Sequence, residues 1–189
     1  MEAADGLAAD IYVNIQGDEP MVSAAHIDLL FSGLQAPLVV PERRNVAGKA
    51  SSEAFGSPPG AAQVSTLKVA ISPEAAVDPN AVKVVTGPCG WALYFSRAAI
   101  PYHRDASREP RYYKHLGLYA YTVAALRRFR TLPPSPLERT EGLEQLRFLE
   151  SGIPIVVIET HQDTIGVDTE EDLSRVEEWF RRAGRVSSP

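Results

Sequence analysis

Two short acid-bearing segments have the residue types and settings that could do chemistry, Gln16-Gly-Asp-Glu19 and Gly166-Val-Asp-Thr169. In the first, the β-branched and aromatic run Ile11-Tyr-Val-Asn-Ile15 stops on a glycine, two carboxylates and Pro20. Val, Ile and Tyr suit a buried pleated strand, and ligands of open α/β sheets gather beyond the carboxyl ends of the strands, so Asp18 is expected where ligands bind. In the second, Asp168 stands directly before Thr169-Glu-Glu-Asp172, a helix start. Two carboxylates delivered to sheet ends can share one hard cation. Magnesium takes oxygen ligands in an octahedron, usually one or two of them protein carboxylates, and fills the remainder with water and substrate oxygens. Each acid also has a structural reading, Asp18 as a turn residue and Asp168 as part of an N-cap box with Thr169.

Other side chains could serve a ligand. Arg97 follows the apolar run ending at Phe95-Ser96 and is suited to fork a carboxylate, or to pair with a surface acid. His115 precedes a strand and has no second His or Cys at ligand spacing, which argues against zinc; it could donate to a carboxylate or a sugar hydroxyl, or be structural. Tyr119 lies within a strand, where a core position would leave its hydroxyl needing one partner. Glu144 and Gln145 are neighbours on an expected helix, so at most one faces the core and the other looks to a rim or to solvent. Cys89, the single cysteine, lies in Gly87-Pro-Cys-Gly90 and reads as a turn thiol, not a nucleophile.

The elements that must hold these groups follow from periodicity and caps. Ser23 is an expected N-cap for a helix carrying Ile27, Leu30, Phe31 and Leu34. Residues 36 to 62 turn to Pro, Gly, Ser and Ala around Arg43-Arg44 and predict a long flexible insertion. Strands are expected at Val64 to Ile71, Val82 to Val85, Trp91 to Phe95 and Leu116 to Tyr121. Ser135-Pro-Leu-Glu138 is a capping box, predicting a helix through Leu143, Leu146 and Leu149 to a stop at Ser151-Gly152. Ile153 to Ile158 predicts a buried strand, and Thr169 opens a last helix with Leu173, Val176 and Phe180 on one face. The tail from Gly184 is expected to fray.

With 189 residues and ordinary composition, one domain over 1-189 is expected. The net charge of -5 disfavours nucleic acid or an anionic membrane as partner. A lone cysteine excludes an internal disulfide framework and suits a reducing compartment. Met1-Glu-Ala-Ala-Asp5 does not read as a signal peptide, and no apolar run approaches the roughly 18 residues needed to cross a bilayer, so a cytoplasmic location is expected.

Taken together, six blocks in order resemble the 3-deoxy-manno-octulosonate cytidylyltransferases, the CMP-Kdo synthetase family. They are Val13-Asn-Ile-Gln-Gly-Asp-Glu-Pro20, Asp78-Pro-Asn-Ala-Val-Lys83, Ala92-Leu-Tyr-Phe-Ser-Arg97 with Ile100-Pro101, His115-Leu-Gly117, Pro134-Ser-Pro-Leu-Glu138 with Leu143-Glu-Gln-Leu-Arg147, and Gly166-Val-Asp-Thr169 with Glu171-Asp-Leu173. The resemblance spans Ile11 to about Phe180. It implies an α/β fold with a doubly wound, mostly parallel open sheet of the nucleotide-diphospho-sugar transferase type. It also implies transfer of a cytidylyl group from CTP to 3-deoxy-D-manno-octulosonate (Kdo), with release of pyrophosphate, for lipopolysaccharide synthesis. By the same resemblance Asp18 and Asp168 are the catalytic Mg²⁺ ligands, Gln16, Arg97, His115, Tyr119, Glu144 and Gln145 bind the sugar acid, and the protein is a homodimer. Two departures shape the expectation. No Gly/Arg/Lys phosphate loop precedes Ile11, so the chain is expected to be an N-terminally truncated form matching the family's carboxyl-terminal two-thirds, with an inactive remnant as the alternative state. A related acid sugar, amino-Kdo or a sialic acid, is the alternative substrate. The 36-62 segment is longer than the family's connection, and Arg43, Arg44 and Lys49 within it could help to bind phosphate.

Overall fold

The computed structural model describes residues 9–35, 62–105, 107, 109–167 and 169–182. Arg43, Arg44, Lys49, Asp168, the tail from Gly184 and all but the end of the expected insertion lie outside the described residues. The elements are β1 (Ile11–Asn14), α1 (Ala24–Gln35), β2 (Val64–Ile71), α2 (Pro73–Ala76), β3 (Lys83–Thr86), β4 (Ala92–Ser96), β5 (Tyr112–Thr122), α3 (Val123–Thr131), α4 (Pro136–Glu141), α5 (Leu146–Glu150), β6 (Ile155–Thr160) and α6 (Glu170–Arg182).

The fold is α/β, with a mixed sheet in the order β4-β3-β5-β2-β6 and β1 added beside β5. The expectation of a mostly parallel sheet is corrected: β2 and β6 run parallel, while β1–β5, β2–β5, β3–β4 and β3–β5 are antiparallel. For β3–β4 the reason is connection length, since a tight hairpin forces antiparallel pairing, whereas the parallel β2–β6 pair is reached by a long connection that includes α3, α4 and α5. Gly87 to Gly90 makes such a hairpin between β3 and β4, with Gly90 N–H donating to Gly87 O at 3.0 Å and Gly90 at φ 81°. The hairpin tip reaches β6, where Val157 N–H donates to Gly90 O at 2.8 Å and Trp91 bridges Val156.

Two cores flank the sheet. On one face Leu30 of α1 packs on Leu67, Val69, Leu116, Leu118 and Ala120. On the other, Tyr119 and Tyr121 of β5 pack against Phe129 of α3 and Leu146 and Phe148 of α5. The long central strand β5 serves both faces, and it carries a bulge. Thr66 faces Tyr119 while Leu67 faces Leu116, so Gly117 and Leu118 are extra residues. Two extra residues preserve the strand's alternation, which keeps Leu116, Leu118 and Ala120 on the α1 face and Tyr119 and Tyr121 on the other.

The expected helix from Pro136 to Leu149 is two helices. Gly142, at φ 64°, takes the left-handed conformation and ends α4; α5 then ends before Gly152, at φ 69°. The Glu138 half of the capping box is made, Ser135 N–H donating to Glu138 Oε2 at 2.9 Å. Sequence periodicity missed α2 and α3, whose caps are Ser72 and Thr122. Arginines at 127, 128 and 130 obscure the short apolar stripe of α3. Thr169 and Asp172 cap α6 reciprocally: Asp172 N–H donates to Thr169 Oγ1 at 3.2 Å, and Thr169 N–H to Asp172 Oδ2 at 3.1 Å.

Candidate active site

β5 forms the floor of the site because its other edge is only partly paired. β1 pairs with residues 119 to 122, β3 pairs at Lys114, and His115 N–H donates to Val82 O at 2.8 Å. Between those pairings the Gln16–Glu19 turn lies against the bulge: a Cβ at Gly117 would sit 3.7 Å from Gln16 Cγ and 3.8 Å from Glu19 Oε1. Both are ordinary van der Waals distances, so the turn lies in contact with this part of the strand. The turn is closed by Glu19 N–H donating to Gln16 O at 3.2 Å, and Gln16 and Asp18 are exposed.

The segment after β6 meets this turn. Val167 N–H donates to Asp18 O at 2.9 Å. Lys114 Nζ donates to Asp163 Oδ1 at 2.7 Å and to Thr164 O at 2.8 Å. Asp168 follows Val167 in the chain and lies outside the described residues, so the expected pair of acids is represented by Asp18 and the backbone leading to its partner. Among the described residues no group of three or more His, Cys, Asp or Glu is assembled for a metal.

Glu19 escaped the sequence reading. Its Oε2 is sealed from solvent without a hydrogen-bond partner, and so is Oγ1 of the fully buried Thr164. Burial pushes the Glu19 carboxyl above the usual range; the neighbouring Thr164 hydroxyl and Lys114 oppose the rise, and Asp18 and Asp163 add to it.

His115 and Tyr119 sit on the strand itself, their rings 5.4 Å apart, with Phe95 edge-on to the imidazole at 4.9 Å. Thr66 Oγ1 lies 2.8 Å from Leu118 O and 3.2 Å from Leu116 O, the carbonyls flanking the bulge. Carbonyls only accept, so the hydroxyl proton goes to them and His115 Nε2–H donates to Thr66 Oγ1 at 2.9 Å. Burial, with Lys114 adding, pushes the imidazole down to about 3, so it is neutral at pH 7 with Nδ1 as an acceptor. Burial first, then Tyr121 and Glu144, raise the Tyr119 phenol well above its ordinary value, which keeps it protonated.

Glu144 is exposed and Gln145 buried, and both lie in the turn between α4 and α5, not on the expected helix. Arg97 is anchored by backbone carbonyls, Nε donating to Glu141 O at 2.9 Å and Nη1 to Pro79 O at 3.1 Å. The Glu141 carboxylate in turn accepts from Ser96 Oγ at 2.7 Å and Arg97 N–H at 2.9 Å, which ties β4 to α4. Gln16, Asp18, His115 and Tyr119 thus share β5 and the turn against it, while Arg97 is placed by β4 and α4. Glu19 and Thr66 are polar groups around the site that sequence spacing did not reveal, because what singles them out is the burial of the one and a contact of the other with His115, distant in the chain.

A mixed α/β sheet with an acid-bearing turn laid over its central strand gives the class, and the sequence comparisons give the family. The chain belongs to the cytidylyltransferase family, whose profile, described as Cytidylyltransferase, matches residues 1–160. Within it the chain is similar to the 3-deoxy-manno-octulosonate cytidylyltransferase of Acidobacterium capsulatum, at 55% identity over 175 residues, covering 93% of this chain and 62% of that protein. The enzyme of the same name from Koribacter versatilis is 48% identical over 180 residues, covering 95% and 60%. A solved structure described as CMP:2-keto-3-deoxy-manno-octonic acid synthetase complexed with CTP matches with a TM-score of 0.79 and 37% identity, over 96% of this chain and 66% of that one. The chain therefore spans about 60% of the length of the two named enzymes. Among the described residues no helix is long and apolar enough to cross a membrane.

Proposed function

We propose that this chain transfers a cytidylyl group from CTP to the anomeric hydroxyl of Kdo, releasing pyrophosphate, as a cytoplasmic homodimer serving lipopolysaccharide synthesis. The observation that carries this reading is the Val167 N–H to Asp18 O bond, which joins the Gln16–Glu19 turn to the backbone entering Asp168 above a strand bearing His115 and Tyr119. The names of its relatives and the CTP held by the solved one support the same reaction.

In this reading Asp18 and Asp168 hold Mg²⁺. The exposed Asp18 carboxylate, with the Glu19 carboxyl beside it on the same turn, offers the hard oxygen donors that such a cation takes. When bound, Mg²⁺ supplies Lewis-acid stabilisation of charge on the α-phosphate and lowers the pKa of a coordinated hydroxyl. The protein's share is positioning, as in phosphoryl-type transfer generally, with the sugar oxygen attacking phosphorus directly and pyrophosphate leaving. His115 accepts a sugar hydroxyl through Nδ1, since its Nε2–H is held by Thr66. Tyr119, kept protonated, donates. Gln16 reaches a further hydroxyl from the exposed start of the turn, and Arg97, steadied by two carbonyls, meets the Kdo carboxylate. Glu144 and Gln145 close the sugar side.

Incubating the chain with CTP, Kdo and Mg²⁺ tests the reaction. Pyrophosphate and CMP-Kdo are expected in equal amounts, and Asp18→Asn is expected to lower kcat/KM by roughly 100-fold or more through loss of a metal ligand. No product from the unaltered chain, or an Asp18→Asn variant as active as the parent, would overturn the reading.

A further inference from the structure

Between β6 and α6 the chain runs from His161 to Val167 without regular structure and leads into Asp168. Three ties hold this segment. Lys114 holds its middle through Asp163 and Thr164, and Asp18 O holds its end through Val167. Its beginning is held by His26, on the first turn of α1 and 1% exposed. Ser23 N–H donates to His26 Nδ1 at 3.2 Å, so Nδ1 carries no proton and Nε2–H donates to Gln162 O at 3.0 Å. Ser23 Oγ reinforces the contact, donating to Gln162 Oε1 at 3.0 Å instead of capping its own helix. One imidazole thus joins the helix that follows the Gln16–Glu19 turn to the segment that ends at Asp168.

We infer that His26 is a positioning residue that sets how the Gln16–Glu19 turn meets the segment leading to Asp168, by locking α1 to residues 161–167. The inference rests on the metal-binding role proposed for Asp18 and Asp168. A buried ring with both nitrogens engaged has one tautomer and one orientation, so a shift of the helix start is passed to Gln162. An apolar side chain could fill the same space, but it would leave Ser23 N–H and Gln162 C=O without their partner.

The two nitrogens can be tested separately. Glutamine reaches the Nε2 position and keeps a donor for Gln162 O; asparagine reaches only the Nδ1 position and keeps an acceptor for Ser23 N–H. In the full chain, hydrogen exchange of the Val167 amide and Mg²⁺ affinity are measured for His26→Asn and His26→Gln. His26→Asn is expected to speed Val167 exchange and to weaken Mg²⁺ binding about tenfold. His26→Gln is expected to leave both near the parental values although it lowers Tm more, because it loses the helix-start contact. Unchanged Val167 exchange in His26→Asn, or both readouts following Tm in the two variants, would overturn the positioning role. Asp18→Ala separates the underlying reading: Mg²⁺ binding unaffected by that change removes the metal assignment, while Val167 exchange still decides whether His26 couples the two segments.

Discussion

At the scale of single residues, burial decides how His115 behaves with pH. In the folded chain its imidazole is pushed down to about 3, against 6.5 ordinarily, so the unfolded chain takes up a proton over an interval where the folded chain does not. The increment is therefore fully present above pH 6.5 and is lost progressively as the pH falls toward 3, at about 1.4 kcal/mol per pH unit. His115→Gln keeps a donor for Thr66 and removes the titration. Chemical denaturation at pH 7 and pH 5 is expected to show the parent losing about 2 kcal/mol more than the variant over that interval; equal losses would contradict the buried neutral histidine. Asp18 and His115 were legible as candidates from residue type and setting alone. Glu19 and His26 were not, since what singles out Glu19 is its burial, and His26 its burial and a hydrogen bond to Gln162, more than a hundred residues away.

At the scale of elements, the sequence indicated where chains start and stop better than how they break in the middle. β2 has its expected limits, the capping box at Ser135 opens α4, and Gly152 ends α5. The break at Gly142 was hidden because Leu143, Leu146 and Leu149 continue a helical spacing through a glycine that a helix can tolerate. Tertiary contacts favour the break, for the Glu141 side chain is drawn to Ser96 and Arg97 and the residue after it turns left-handed. Gly142→Ala is expected to destabilise the chain by about 1 kcal/mol through the cost of a Cβ in that conformation. Thermal or chemical denaturation checks this; an unchanged or raised stability would show that α4 can end another way. Strand direction was not legible either. Alternation tells which residues share a face, whereas parallel or antiparallel pairing depends on connections such as the Gly87 to Gly90 hairpin.

At the scale of the whole molecule, the proposed function draws on segments far apart in the chain that the sheet brings together. β1 adds to one end of the β5 edge and β3 to the other, leaving the Gln16–Glu19 turn to lie on the bulge between them. β6, parallel to β2 on the opposite side, delivers the segment that is tied to β5 through Lys114 and to that turn through Val167. A manganese soak of crystals of this chain with Kdo and CTP tests the proposed convergence most directly, with anomalous scattering locating the ion. The account predicts a peak bridging the carboxylates of Asp18 and Asp168 on the His115 and Tyr119 side of β5. A peak bound elsewhere, or Asp168 ordered with its carboxylate turned away from Asp18 and the ion, would contradict it.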